Sequence, residues 1–191
     1  MGLKITKEQI AELPVEKFSG RIQVIDREEE LPNALNYLSS QPALGFDTET
    51  KPAFKRGQLN KVALLQLATE DVCYLFRLNR VGYPDGLESI MVNPDIRKIG
   101  LSLRDDFAAI HRRSVRKPEN FIDLQLFVDK FGIEDNSLQK IYAILFGKKI
   151  SKSQRLSNWE APLLTPAQQS YAAIDAWACL RIYNHLTKEF R

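Results

Sequence analysis

Two carboxylates at the end of an apolar segment constrain this sequence more than any other feature. Residues 43–46 are mostly apolar and lead into Asp47-Thr48-Glu49, a pattern that predicts a buried strand with an acidic end. Side chains alternate along a strand, so Asp47 and Glu49 share one face at a spacing of about 6.6 Å. Two negative charges on a partly buried face need a divalent cation or raised pKa values. The alternative is the exposed end of an edge strand.

Length and composition indicate one globular domain. The chain has 191 residues, of which 44% are hydrophobic and 27% are charged, so it can bury one core but is short for two. We expect a single domain over residues 1–191, with residues 1–19 as an N-terminal helical extension. No apolar stretch approaches the roughly 20 residues that cross a bilayer, and a secretory signal is lacking. The expected location is intracellular (cytoplasm, nucleoid or nucleus), without secretion or membrane contact.

Hydrophobic periodicity gives a strand-rich first half and a helical second half. The short polar link Glu70-Asp71 suits a tight hairpin, so the three strands within residues 44–76 are expected to be antiparallel. Strands are predicted over residues 21–25, 44–50, 62–69, 72–76 and 97–101. Helices are predicted over residues 31–38, 87–92, 106–113, 124–131, 138–146 and 166–190, with a short one after Thr6. The helix starts carry capping pairs at Thr6 and Gln9, Asn136 and Gln139, and Thr165 and Gln168.

The last predicted helix carries a tyrosine and an aspartate on one face. Tyr171 and Asp175 are four residues apart, which is one helical turn. Aspartate is a poor helix former and is seldom buried without a partner, so Asp175 should have one. The surrounding alanines would let this helix approach a sheet closely; they are Ala172, Ala173, Ala176 and Ala178.

A further acidic pair stands where a predicted strand gives way to a helix. Asp105 and Asp106 are adjacent, and spacing alone does not decide which faces a site and which caps the helix. Asp123 directly precedes a predicted helix and is better explained as its cap.

Two to four converging carboxylates are what a two-metal phosphodiester site requires. Hard oxygen ligands suit Mg²⁺ or Mn²⁺, and two such ions about 3.5–4 Å apart activate the attacking water and neutralise the leaving oxygen. A nearby tyrosine could orient that water or help to deprotonate it.

Basic residues are clustered, although the formal net charge is only +3. Such clusters suit a phosphate backbone, and solvated loops and helix ends are the alternative explanation. The polar connection over residues 148–162 is predicted to be a mobile or substrate-facing loop. The clusters are Lys51, Lys55, Arg56 and Lys61; Arg112, Arg113, Arg116 and Lys117; and Lys148, Lys149, Lys152 and Arg155.

The acidic residues resemble, in order and approximate spacing, the three motifs of the DEDD 3′-5′ exonucleases. These motifs are Asp47-x-Glu49, Asp106, and Tyr171-x-x-x-Asp175, and the tyrosine indicates the DEDDy subgroup. Within that subgroup the chain looks most like the Werner-syndrome-type exonuclease domain, and ribonuclease D is next. The second motif departs from its commonest form, because residues 101–102 replace an asparagine, as they do in Werner-type members.

The resemblance implies a ribonuclease-H-like α/β fold, in which helices flank a mixed central β-sheet. It also implies two divalent ions, Mg²⁺ or Mn²⁺. Asp47, Glu49 and Asp175 would bind the first ion, Asp47 and Asp106 the second, and Tyr171 would position the water.

The implied activity is hydrolysis of phosphodiester bonds from a free 3′ end of nucleic acid, with release of nucleoside 5′-monophosphates. DNA is the favoured substrate; the alternatives are ribonuclease D-like trimming of RNA 3′ ends and a non-catalytic nucleic-acid-binding module. Thr48, Leu103 and Phe107 are expected to contact the terminal nucleotide. Trp159 would either stack a base or anchor the core.

Overall fold

A mixed β-sheet of six strands forms the centre of the computed structural model, which describes residues 2–53 and 60–189. The strands lie in the order β1-β4-β3-β2-β5-β6. They are β1 (Arg21–Ile25), β2 (Ala43–Thr50), β3 (Val62–Ala68), β4 (Val72–Arg77), β5 (Arg97–Gly100) and β6 (Phe121–Asp123). The helices are α1 (Lys7–Ala11), α2 (Leu31–Ser39), α3 (Asp85–Met91), α4 (Leu103–His111), α5 (Leu124–Phe127), α6 (Leu138–Phe146) and α7 (Pro166–Glu189). Short 3₁₀ helices cover Glu28–Glu30 and Val128–Phe131.

The sheet has an antiparallel centre and parallel flanks. Strands β2, β3 and β4 are antiparallel neighbours, which confirms the arrangement predicted for the three consecutive strands. Parallel pairs join β1 to β4, β2 to β5 and β5 to β6. In the antiparallel pair, Gly45 lies opposite Ala68 and Asp47 lies opposite Gln66. The predicted α/β fold with a mixed central sheet is therefore confirmed.

The two faces of β2 contact different helices. Phe46 belongs to a buried cluster that includes Leu38 of α2, Leu87 of α3 and Ile110 of α4. On the opposite face, Leu64 of β3 packs with alanines of α7. Because side chains alternate along a strand, Asp47 and Glu49 lie on the face that α7 covers.

Small residues bring α7 close to the sheet. A Cβ atom placed on Gly45 would lie 2.0 Å from the carbonyl oxygen of Ala176, so a side chain has no room there. Ala172, Ala173 and Ala176 are fully buried along the same helix. The expected close approach of the alanine-rich helix is confirmed, and it holds Asp175 against β2.

Predicted helix starts are correct where a side chain caps the backbone. Thr6 and Gln9 form the predicted capping box, and Thr165 and Gln168 exchange the same two hydrogen bonds at the start of α7. Asn136 is not the cap of α6, since Ser137 occupies that position.

The structure differs from the sequence prediction at two places around the second motif. Helix α4 begins at Leu103 and not at Asp106, because Ser102 has a left-handed backbone conformation (φ 60°) that separates the helix from β5. Strand β6 was not predicted, since three residues are too few for a hydrophobic period and its pairing with β5 is non-local.

The N-terminal extension is attached through a buried carboxylate. Glu16 is 7% exposed and accepts hydrogen bonds from Tyr142 Oη (2.7 Å), Lys148 Nζ (3.0 Å) and an Arg181 guanidinium nitrogen (2.9 Å). These bonds tie residues before β1 to α6 and α7. Within residues 2–53 and 60–189, no helix combines the length and apolarity that a membrane span requires.

Replacing Gly45 tests the contact between α7 and the sheet. We expect Gly45→Ala to lower the free energy of unfolding by about 1–3 kcal/mol, because the new methyl group meets the backbone of Ala176. Urea unfolding measures the change.

Gly86→Ala is the matched control. Its Cβ would meet only the flexible end of Leu35, and alanine favours a helix over glycine by up to about 1 kcal/mol. We expect a change below about 1 kcal/mol. An equal loss in both variants would contradict the special role of Gly45.

Candidate active site

Three carboxylates from two elements converge at the end of β2. Asp47 and Glu49 come from the strand and Asp175 from α7, and one oxygen of each lies within 4.8 Å of the other two. All three side chains are partly buried. The structure thus brings together the first and third acidic motifs predicted from the sequence.

Burial destabilises the charged forms of all three acids, and repulsion from neighbouring carboxylates adds to this for Asp47 and Glu49. Burial, followed by the charges of Asp175, Asp106 and Glu49, raises the pKa of Asp47 well above its usual range. Burial, followed by Asp175 and Asp106, raises the pKa of Glu49 to about 8. Burial raises the pKa of Asp175 to about 7. Hard oxygen donors with uncompensated negative charge fit a divalent cation such as Mg²⁺ or Mn²⁺.

Asp106 lies beside this cluster on the other face of β2. Its Oδ1 accepts a hydrogen bond from the Thr48 hydroxyl, and burial raises its pKa to about 6. Asp106 also contributes to the raised pKa values of Asp47 and Glu49, so it is close enough to act on both electrostatically. Asp105 is exposed. Asp106 is therefore the member of the pair that faces the site.

Tyr171 lies one turn before Asp175 in α7, and both side chains line one cavity. This cavity has a volume of about 460 Å³ and also exposes Asp47 and Glu49. Burial, followed by the charges of Asp175 and Glu49, raises the pKa of the Tyr171 phenol. The hydroxyl is therefore protonated at neutral pH.

A second cavity of about 480 Å³ opens on the Asp106 side. Thr48 and Glu49 line both cavities, so the end of β2 forms a shared wall. Asp105, Asp106 and Arg112 also line this second cavity.

Two basic residues of the predicted substrate-facing loop approach the acids. Lys152 and Arg155 line the Tyr171 cavity. The charge of Arg155 partly offsets the rise in the Glu49 pKa, and that of Lys152 acts in the same way on Asp175. In contrast, Lys148 binds Glu16 and Lys149 binds the Ala11 carbonyl. Lys55 and Arg56 lie outside the described residues.

The four predicted nucleotide contacts are placed very differently. Thr48 lines both cavities and donates to Asp106. Phe107 is half-buried and packs edge-on against Phe121 at 4.9 Å between ring centroids. Leu103 and Trp159 are 4% and 0% exposed, because they fill the cores around α4 and α7. Neither side chain lines either cavity, and the burial of Trp159 favours the core anchor, which was the alternative for this residue.

Asp123 has a role that its sequence position revealed only in part. Its carboxylate accepts the N–H of Gln125 (3.0 Å), which confirms the predicted cap of α5. It also accepts the N–H groups of Ser102 and Leu103, both at 2.9 Å. One carboxylate therefore fixes the start of α4 three residues before Asp106. No local sequence signal links Asp123 to that distant turn.

A mixed sheet with carboxylates from a central strand and two packed helices defines the class of ribonuclease-H-like nucleases. Residues 22–191 match the family model described as "3'-5' exonuclease". The chain belongs to this family of 3′-5′ exonuclease domains.

Among curated proteins, the mouse "Bifunctional 3'-5' exonuclease/ATP-dependent helicase WRN" is 36% identical over 155 residues, which are 78% of this chain and 11% of that protein. An Aedes aegypti "Exonuclease mut-7 homolog" is 26% identical over 88% of this chain and 27% of its own length. The chain thus spans less than a third of these relatives.

Solved structures share the fold at lower identity. Escherichia coli RNase D superposes with a TM-score of 0.78 at 24% identity, covering 88% of this chain and 45% of that one. The Aedes aegypti Nibbler EXO domain has a TM-score of 0.77 at 23% identity, covering 100% of this chain and 92% of that one.

Removing the Asp123 carboxylate should loosen the start of α4. We expect Asp123→Ala to lower the free energy of unfolding by about 2–3 kcal/mol, since three backbone N–H groups lose their acceptor. Asp123→Asn keeps one oxygen and should lose less. The exposed Asp129→Ala control should change stability by under about 0.5 kcal/mol, and an equal loss there would refute this role.

The acid cluster should make stability depend on pH when divalent metal is chelated. The folded-state pKa values of Glu49 (about 8) and Asp175 (about 7) exceed the usual value near 4, so the folded protein binds more protons. We expect the melting temperature in EDTA to fall as pH rises from about 5 to about 8. Asp175→Asn should flatten this dependence. A melting temperature that rises across this window would contradict the assigned pKa directions.

Proposed function

We propose that this domain uses two divalent ions, Mg²⁺ or Mn²⁺, to remove nucleoside 5′-monophosphates from the 3′ end of nucleic acid, with DNA favoured. The observation that carries the proposal is the convergence of Asp47, Glu49 and Asp175, whose pKa values burial raises. The expected site of action is inside the cell, where nucleic acid with free 3′ ends is present.

The carboxylates divide into two sets of ligands. Asp47, Glu49 and Asp175 would hold one ion, while Asp47 and Asp106 would hold the other. When bound, the ions supply an activated water and neutralise the leaving oxygen. The Thr48 hydroxyl donates a hydrogen bond to Oδ1 of Asp106 and thereby orients this carboxylate. The second carboxylate oxygen of Asp106 can then serve as a metal ligand.

Tyr171 positions the attacking water and does not act as its base. A phenol whose pKa is raised stays protonated at neutral pH, so it donates or accepts a hydrogen bond without taking a proton. Its place beside Asp175 in the same cavity supports this role.

Lys152 and Arg155 bind the phosphates of the substrate. Both line the cavity that holds the carboxylates, and their charges reach Asp175 and Glu49. A phosphodiester backbone is a polyanion, so cations around an acid cluster let it approach the site.

The choice between DNA and RNA rests on resemblance. Werner-type motifs favour DNA, as does the 36% identity with the mouse relative of that type. RNA 3′-end trimming is the second candidate, because the fold also matches a Trypanosoma brucei ribonuclease D described as a complex with RNA.

Digestion of matched DNA and RNA strands tests the proposal. With Mg²⁺ or Mn²⁺, we expect wild-type protein to shorten a 5′-labelled strand stepwise, DNA faster than RNA. Asp47→Ala and Asp175→Ala should lower kcat/KM by at least about 10³-fold, since each removes a ligand that is worth several kcal/mol in the transition state.

Gel electrophoresis measures the rates, and circular dichroism checks the fold of each variant. If the two variants shorten the strands as fast as the wild-type protein does, the assignment of Asp47 and Asp175 as metal ligands is wrong. Binding of the oligonucleotide in EDTA, with no cleavage after metal is added, would favour the non-catalytic module instead. Faster loss of RNA than of DNA would select the ribonuclease D-like alternative.

A further inference from the structure

One buried amide in the sheet has no visible structural use. Gln66 is 0% exposed in the middle of β3, between Leu65 and Leu67. Neither its Nε2 nor its Oε1 has a hydrogen-bond partner within the described part of the chain. A buried amide without hydrogen bonds lowers the free energy of unfolding by about 1–3 kcal/mol, because its polar atoms lose their hydration. An apolar side chain of the same size would carry no such penalty.

The position of Gln66 links it to the acid cluster. It lies directly opposite Asp47 in the antiparallel pair of β2 and β3. Opposite residues in such a pair point to the same face, with Cβ atoms about 4.5–5.5 Å apart. Leu64 and Ala68, which share this face with Gln66, pack with Ala176 of α7. Gln66 therefore lies beneath α7, on the same face of the sheet as Asp47 and directly across from it.

Chemistry makes an amide suitable at this place. Its N–H group is a neutral donor, so it can hold a carboxylate oxygen without competing with a cation for the negative charge. The terminal torsion of glutamine is broad, and its rotation turns Nε2 toward a neighbour. Donors that bind ligating carboxylates fix their orientation and typically contribute 10–100-fold to metal affinity.

We propose that Gln66 is a positioning residue for Asp47: when divalent ions are bound, Gln66 Nε2 turns toward the Asp47 carboxylate, donates a hydrogen bond to it and orients it toward the ions. This inference rests on the proposed function, because it assigns Asp47 as a metal ligand. Gln66 itself touches neither ion nor substrate.

Gln66→Met separates positioning from packing, because methionine has a similar shape and no polar atom to satisfy. We expect the Kd for Mn²⁺, measured by calorimetric titration of EDTA-treated and dialysed protein, to rise about 10–100-fold. The melting temperature without metal should stay equal or rise, since the variant no longer buries an unsatisfied amide. Gln66→Leu should show the same pattern and covers the case in which Gln66→Met does not fold.

Gln168→Met is the matched control at a second buried glutamine, which lies seven residues before Asp175 in α7. Gln168 is 6% exposed, accepts the Thr165 N–H (2.9 Å) and donates to the Asn158 carbonyl (3.3 Å). This variant should lower the melting temperature and leave the Mn²⁺ Kd within about twofold, which is the opposite pattern.

Unchanged Mn²⁺ affinity in folded Gln66→Met or Gln66→Leu would overturn the inference and leave the proposed function standing. If neither variant folds, the amide is structural and the inference is also overturned. Failure of the wild-type protein itself to bind Mn²⁺ would refute the proposed metal site, and the role of Gln66 with it.

Discussion

The close contact of α7 with β2 determines where the carboxylates lie. Gly45 leaves no room for a side chain against the Ala176 backbone, and the fully buried alanines of α7 keep the helix at that distance. Asp175 precedes Ala176 directly, so the same contact sets its distance from Asp47 and Glu49. A larger residue at either surface would separate the helix-borne ligand from the strand-borne pair. The acidic site thus depends on the smallest side chains in the core.

This packing opposes the electrostatics of the site. Burial raises the pKa values of Asp47, Glu49 and Asp175, and repulsion from neighbouring carboxylates raises those of Asp47 and Glu49 further. The fold therefore holds the three groups where their charged forms are unfavourable. Apolar contacts of α7 with the sheet supply the stabilisation that keeps them together. A divalent cation removes the conflict, because it replaces protons as the partner of the carboxylates. Metal affinity and fold stability are therefore linked through the same side chains.

Sequence patterns predict what local chemistry dictates, and they fail where distant segments meet. The acidic end of β2, the alanine face of α7 and the caps at Thr6 and Thr165 follow from alternation, side-chain size and hydrogen bonding within one turn. The start of α4 does not follow from local patterns, because the Asp123 carboxylate that binds its first N–H groups comes from another element. The sequence around Gln66 shows only one polar residue in an apolar strand, which does not indicate a functional role. The significance of Gln66 depends on the pairing register with β2 and on its complete burial.

The location of the acids at a strand end has a geometric reason. Asp47 and Glu49 lie on the face that α7 covers, whereas Thr48, which binds Asp106, points to the face that α4 covers. In the middle of a sheet, the backbone would separate ligands delivered from opposite faces. The pairing of β2 with β3 shifts register between Glu49 and Thr50, where the regular ladder ends. At this end of β2, side chains from α4 and α7 reach the same strand from opposite faces, so ligands from both helices can meet there.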